Sequence, residues 1–142
     1  MEHTYIFFHK HTLICTVFIL TIFLILITEF IEYIISKNKI NIQDAINIIN
    51  HKNGIVVDFR NEIKFKQYHI INSININNIE KLSKFKKNHI IVIHETNLKA
   101  YKIIEKLKKK EFKNFSYIHN GLNEWKKAEY PIIINNNAKN ES

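Results

Sequence analysis

The chain has 142 residues and a formal net charge of +8, and its one cysteine is Cys15. A chain of this length can form one compact domain beside a membrane segment. Because no thiol follows Cys15, the rest of the chain excludes a disulfide, a thiolate zinc site, an iron–sulfur cluster and cysteine-based catalysis.

The first predicted element is an apolar helix. Residues 12–28 carry no charged side chain and are rich in Leu, Ile and Phe, and a membrane-spanning helix needs about 20 such residues. The helix can continue past Glu29 and Glu32, whose carboxylates would lie among the lipid headgroups. A buried core helix or a cleaved signal peptide is the alternative. A signal peptide is disfavoured because Glu2 replaces a basic start and no small-residue cleavage site follows the apolar run.

This helix divides the chain into five predicted segments. They are an N-terminal tail, a transmembrane helix, a linker, one α/β domain and a disordered tail, at residues 1–11, 12–35, 36–38, 39–134 and 135–142. Basic residues are almost equally frequent at the two ends of the helix, so they favour one orientation only weakly. We expect a single-pass protein of the cell inner membrane, with the α/β domain in the cytoplasm.

From residue 39 onward, short β-branched runs alternate with helical stretches. The predicted strands are Ile40, Ile55–Val57, Ser73–Ile76, Ile90–Ile93 and Phe115–Ile118. The first predicted helix follows Asn41, which is its N-cap. Three more predicted helices cover Asn61–Tyr68, Ala100–Leu107 and Asn123–Ala128. Two of the strands are apolar throughout, as strands covered on both faces are. This pattern predicts an α/β fold with a five-stranded parallel sheet and helices on both of its faces.

Polar side chains follow the first buried strand. Asp58 and Arg60 lie at its carboxyl end, where open α/β sheets place their sites, and their spacing lets them pair. Arg60 is the only arginine in a lysine-rich chain, which suggests a need for the planar guanidinium group. His69 could act as a ligand or a base, but a lone histidine is more often a structural hydrogen-bonding residue. We predict structural roles for all three residues.

In their order along the chain, these residues resemble the rhodanese-like family. The resemblance rests on Val56-Val57-Asp58-Phe59-Arg60, Phe65, Tyr68-His69-Ile70, Ser73-Ile74-Asn75, Asn120-Gly121, Trp125 and Pro131. It covers residues 39–134 and implies the fold of that family. The structural signature that it implies consists of Asp58, Arg60, His69, Gly121 and Trp125. With the apolar helix added, the whole chain is similar to the YibN-type membrane-anchored members of the family in bacteria.

The loop that carries the catalytic cysteine of the family is degenerate in this chain. Active rhodaneses have Cys-Arg-x-Gly-x-Arg-Ser there, and its backbone N–H groups stabilise a persulfide and bind the anionic sulfur donor. The corresponding residues here are His94, Glu95, Thr96, Asn97, Leu98 and Lys99. The resemblance places the cysteine position at or next to Glu95. A carboxylate cannot carry a sulfane sulfur, and it repels the anionic donor.

These observations predict a catalytically inactive rhodanese-like domain that is tethered to the membrane as a protein-interaction or scaffold module. One alternative is an enzyme, or a sulfur-carrier-related protein with residual anion binding, that uses Glu95, His94 or His69 in the degenerate cleft. Another is a relic that has no partner. We expect no metal and no cofactor. The expected partners are the lipid bilayer and a membrane or membrane-associated protein, and nucleic acid is not expected because the lysine-rich stretches lack interleaved arginines and aromatic residues.

Overall fold

The computed structural model describes residues 11–135, and the chain divides into two compact units between Lys37 and Asn38. Apart from His11 and Asn135, the predicted N-terminal and C-terminal tails lie outside the described residues. Within its described part, the first unit contains the helix α1 (Thr12–Ser36), and none of the residues of this helix is buried. Its length and composition are those of a membrane span, although a signal sequence has the same properties.

The second unit is an α/β domain. Its strands are β1 (Lys39–Ile40), β2 (Gly54–Asp58), β3 (Tyr68–Ile70), β4 (Ile74–Asn75), β5 (His89–Ile93), β6 (Phe115–Ile118) and β7 (Ile132–Ile134). Its helices are α2 (Ile42–His51), α3 (Glu62–Gln67), a 3-10 helix (Ile79–Phe85), α4 (Asn97–Lys109) and α5 (Gly121–Lys127). Five strands form one parallel sheet in the order β1-β6-β5-β2-β4. The predicted five-stranded parallel sheet is therefore confirmed.

Apolar side chains cover both faces of this sheet. On one face, residues of α2 and α5 pack against β2, β5 and β6, and the buried cluster contains Ile42, Ala45, Ile48, Val56, Ile91, Ile93, Ile118, Leu122 and Trp125. Alternate residues of a strand point to opposite faces, so Val57, Ile90 and Val92 face the other side. On that side α4 packs against β5 and β6, and its buried side chains are Ala100, Ile104 and Leu107. The 3-10 helix buries Leu82.

Short polar side chains fix the starts of three helices. Asn41 Oδ1 accepts a hydrogen bond from the backbone N–H of Asp44 at 2.7 Å, which confirms the predicted N-cap of α2. Asn61 and Thr96 make the same type of contact at the starts of α3 and α4. An N-cap of this kind supplies an acceptor for a helix N–H group that has no partner within the helix.

Three elements of the fold were not predicted, namely strands β3 and β7 and the 3-10 helix. Strands β3 and β7 pair antiparallel in a separate small sheet, with His69 opposite Ile133. His69 therefore lies within a strand, whereas the sequence placed it ahead of one. Each strand has only three residues, which is too short for an alternating pattern to appear. The 3-10 helix has one buried residue, Leu82, so it lacks a helical apolar period as well.

Candidate functional site

At the carboxyl end of β2, Asp58 and Arg60 form a buried ion pair. Their side chains are 1% and 4% exposed. Arg60 Nη2 donates to Asp58 Oδ2 at 2.7 Å, and Arg60 Nε lies 3.0 Å from both carboxylate oxygens. The backbone N–H of Arg60 also donates to Asp58 Oδ1 at 2.9 Å. The two charges therefore satisfy each other in a region from which water is largely excluded.

The same pair connects three strands. Arg60 Nη2 also donates to the Tyr68 carbonyl oxygen at 2.7 Å, at the start of β3. In β4, Asn75 Nδ2 donates to the carbonyl oxygens of Asp58 and Arg60 at 3.0 and 2.9 Å. The guanidinium carbon lies 5.1 Å from the centre of the Tyr68 ring, close enough for a cation–π contact. These contacts hold the ends of β2, β3 and β4 together, which favours the predicted structural role of Asp58 and Arg60.

The side chain of His69 contacts Phe65, four residues earlier in the chain. Its Nδ1 lies 2.9 Å from the carbonyl oxygen of Phe65, which can only accept, so Nδ1 carries the proton. Its ring stacks on that of Phe65, with the centres 4.0 Å apart and the planes at 17°. One ring nitrogen and one ring face are therefore occupied within α3 and β3. A structural role for His69 stays the simpler prediction.

The degenerate loop begins directly after β5, next to the buried ion pair. Ile93 pairs with Asp58 in the sheet, and its carbonyl oxygen accepts the backbone N–H of Phe59 at 3.0 Å. Beyond Ile93, the Glu95 carboxylate forms an ion pair with Lys64 of α3. Its other oxygen lies 3.6 Å from Lys99 Nζ of α4.

The Glu95 carboxylate therefore joins α3 and α4 across the loop. The hydrogen bond from Lys64 holds the pKa of the Glu95 carboxyl below its usual value. It is thus ionised at neutral pH, and its charge offsets those of Lys64 and Lys99. The resemblance aligns this loop with the anion-binding loop of active rhodaneses, and here the loop carries the ionised Glu95 carboxylate.

His94 is held as a neutral imidazole. Burial lowers its pKa, and the nearby Lys99 ammonium lowers it further. His94 Nδ1 accepts the backbone N–H of Glu95 at 2.6 Å, so the ring proton is on Nε2. A neutral His94 adds no positive charge to the loop.

The remaining loop residues connect it to the turn before α5. Thr96 caps α4, and Leu98 is an exposed apolar residue. Asn97 Oδ1 accepts the backbone N–H of Asn120 at 3.0 Å, and Asn97 Nδ2 lies 3.1 Å from His119 Nδ1. The structure therefore gives Asn97 a bracing contact that the sequence did not indicate.

Gly121 and Trp125 complete the surroundings of the loop. Asn120 and Gly121 both have left-handed backbone, with φ values of +51° and +53°. The Cα of Gly121 faces the His94 carbonyl oxygen so closely that a Cβ would collide with it. Trp125 is buried, and its Nε1 donates to the Pro131 carbonyl oxygen at 3.3 Å. Gly121 thus lets the loop and α5 approach, while Trp125 anchors α5 in the core.

A cleft of about 270 Å³ lies among these groups. Its lining residues are Arg60, Lys64, Gln67, Tyr68, His94, Glu95, Asn120, Leu122 and Asn123. The lining contains no thiol. Within residues 11–135, no group of three His, Cys, Asp or Glu side chains is placed to hold a metal ion. The cleft is polar, but the Glu95 carboxylate already occupies its cationic side.

Removal of the Glu95 charge should convert this cleft into an anion site. In the full-length E95Q variant, Lys64 and Lys99 lose their carboxylate partner, and we expect the affinity for inorganic sulfate to rise on the order of tenfold at pH 7. Isothermal titration calorimetry measures this change. The matched control is E62Q, which breaks the exposed pair of Glu62 with Lys66 outside the cleft. Equal sulfate affinity in E95Q, E62Q and the unmodified chain contradicts the prediction.

Comparisons with known proteins agree with this geometry. A family model described as "Rhodanese-like domain" matches residues 41–128. The uncharacterized protein BU052 of Buchnera aphidicola is 32% identical over 95% of this chain and 99% of its own length. The uncharacterized protein YibN of Escherichia coli is 26% identical over 94% of this chain and 98% of its own length. The solution structure of a rhodanese-like domain of the Alr3790 protein from Anabaena has a TM-score of 0.62 at 14% identity, and the match covers 75% of this chain and 84% of that one.

Proposed function

The chain belongs to the rhodanese-like domain family, and from that premise we propose that it is a membrane-tethered, catalytically inactive member that acts as a protein-interaction or scaffold module. The fold is shared by sulfurtransferases and by inactive members. The fold alone therefore does not distinguish the two classes, and the proposal rests on the residues of the site. The observation that carries the proposal is the ion pair between Glu95 and Lys64, at the loop where active members bind their anionic substrate.

Several properties of the cleft support inactivity together. Sulfur transfer in this family needs a thiolate, and no cysteine follows Cys15 in the sequence. The Glu95 carboxylate repels an incoming anion and offsets the lysine charges that could attract one. His94 is neutral and uses Nδ1 within the loop, so it does not replace the missing nucleophile.

We therefore predict no thiosulfate sulfurtransferase activity. The full chain in detergent, supplied with thiosulfate and cyanide, should produce no more thiocyanate than a heat-denatured sample. The E95C variant should remain far below an active rhodanese, because the glycine and arginines that complete the anion-binding loop are still missing. Thiocyanate production by the unmodified chain above the denatured control contradicts this prediction.

The apolar helix supports the membrane part of the proposal. Helix α1 has the length and composition of a span, and only Lys37 and Asn38 separate it from β1. Such an anchor raises the effective concentration of the domain toward proteins in the same membrane, so weak contacts suffice for association. In our proposal the membrane is the cell inner membrane, and the domain lies on its cytoplasmic side.

Cys15 offers a direct test of this anchor. If α1 spans the bilayer, Cys15 lies near or within the hydrocarbon region, and a membrane-impermeant maleimide should label it slowly in intact membranes. Detergent should then restore rapid labelling, which serves as the internal control. Rapid labelling without detergent contradicts the proposed span at residues 12–36.

Crosslinking in native membranes tests the interaction function itself. Exposed lysines of the α/β domain can react with an amine-specific crosslinker, and we expect a reproducible protein adduct that disappears when residues 12–36 are deleted. A second control replaces those residues with an unrelated apolar span, and the adduct should persist. Recovery of only background proteins, with and without the helix, contradicts the proposed module and favours a relic that has no partner.

A further inference from the structure

A second, larger cleft shares only His94 with the degenerate one. It encloses about 460 Å³, within the roughly 300–1,000 Å³ of typical small-molecule sites. Its apolar lining residues are Phe59, Ile79 and Ile103, and its basic ones are Lys106, Lys109 and Lys110. They come from the end of β2, the 3-10 helix and α4. This combination of an apolar floor and a basic rim is absent from the degenerate cleft.

The apolar floor results from the alternation of side chains at the end of β2. Phe59 lies between Asp58 and Arg60, so its ring points away from their ion pair and lines this second cleft. Ile79 and Ile103 complete the floor. All three side chains are half-buried, so part of their apolar surface remains accessible to a ligand.

The rim carries an excess of positive charge. Lys106, Lys109 and Lys110 come from the C-terminal end of α4, and Glu80 is the one carboxylate among the described lining residues. Glu80 lies 3.6 Å from Lys110, and their side chains are 70% and 57% exposed. An ion pair that is this exposed contributes little and opens readily. A ligand anion can therefore compete with Glu80 for the ammonium groups.

The charge of these lysines has a second, purely local explanation, because cations at the end of a helix interact favourably with its dipole. That effect explains lysines in the last turn of α4. It does not explain the accessible apolar surface of Phe59 and Ile103 within the same cleft. Contact of this surface with water is unfavourable in free energy, and an apolar ligand group that displaces the water removes this cost.

We propose that this cleft binds a small organic anion that carries an apolar group. The apolar part would contact Phe59 and Ile103, and the carboxylate, phosphate or sulfonate group would bind Lys106 and Lys109. The proposal concerns a site separate from the Glu95–Lys64 pair, and it holds whether or not the domain has a protein partner.

Naphthalene-2-sulfonate serves as the probe, since it combines an aromatic ring with one anionic group. Titrated into the full chain in detergent, with protein-free micelles as the blank, it should bind in a saturable manner. Inorganic sulfate has an anionic group but no aromatic ring, and 2-naphthol has the aromatic rings but no anionic group. We expect both to bind at least about tenfold more weakly than naphthalene-2-sulfonate. Sulfate that binds as tightly as the aromatic sulfonate, or a titration that does not saturate, overturns the proposal.

A pair of charge-reversal variants locates the site. K106E/K109E should weaken binding of naphthalene-2-sulfonate by at least about tenfold, whereas K102E/K113E, with the same change in net charge, should alter it by less than about twofold. All four lysines are exposed, so both variants should fold, which circular dichroism checks. An equal loss in the two variants would show general charge attraction and would refute the assigned site.

Discussion

Replacement of Arg60 by alanine is expected to lower the free energy of unfolding by about 3–5 kcal/mol. The Asp58 carboxylate, at a position that is 1% exposed, would lose the guanidinium that now balances it. The Tyr68 carbonyl oxygen would lose its donor at the same time. Chemical denaturation of the full chain in detergent, followed by circular dichroism, measures the change.

Two variants test the cause of this loss. K127A removes an exposed ion pair with Glu124, in which the two charged atoms are 3.8 Å apart, and it should cost less than about 1 kcal/mol. Adding D58N to R60A should recover part of the stability, because the unpaired buried charge disappears. If R60A keeps the stability of the unmodified chain but loses a cellular phenotype, Arg60 acts in function and the structural prediction is wrong.

Replacement of Gly121 by alanine should be similarly destabilising. The left-handed backbone at φ +53° costs alanine roughly 1–2 kcal/mol, and the collision of its Cβ with the His94 carbonyl oxygen adds an overpacking cost of roughly 1–3 kcal/mol. We expect a total loss of about 2–5 kcal/mol. The same denaturation experiment measures it.

Asn123 supplies the matched control for Gly121. It lies two residues further along the same short helix and is exposed, so N123A should change stability by less than about 0.5 kcal/mol. A larger shift of the backbone amide resonances at His94 and Glu95 in G121A than in N123A, whose side chain lines the same cleft, would show that the collision reaches the loop. Equal stability of the two variants contradicts the close approach of Gly121 to His94.

The elements that the sequence predicted well are those with a local signal. Strand β5 contains the uninterrupted run Ile90–Ile93, and α4 repeats apolar residues from Ala100 to Leu107 at helical spacing. The N-cap at Asn41 is local too, since the side chain contacts a backbone group three residues away. Such features depend on neighbouring residues, so a single sequence contains the information.

The contacts that could not be predicted join segments that are distant in the sequence. Among so many lysines, nothing marks Lys64 as the partner of Glu95, because their proximity depends on how α3 and the loop after β5 are placed. The same holds for Phe59 and Lys106, which meet at one cleft only in the folded domain. The run of lysines in α4 is visible in the sequence. The apolar side chains that line the cleft beside it are brought there only by the fold.

The pairing of the first strand limits when the domain can fold. Only two residues separate strand β1 from α1, yet the parallel partner of β1 is β6, where Lys39 pairs with Tyr117. Because a ribosome releases the N-terminal part first, β1 waits for its partner until most of the domain has been synthesised. A helix such as α1 can reach a membrane long before that moment. A nascent chain that stalls before Phe115 would expose β1 and an edge of β5 without partners, and open strand edges of this kind are sites of aggregation or chaperone binding.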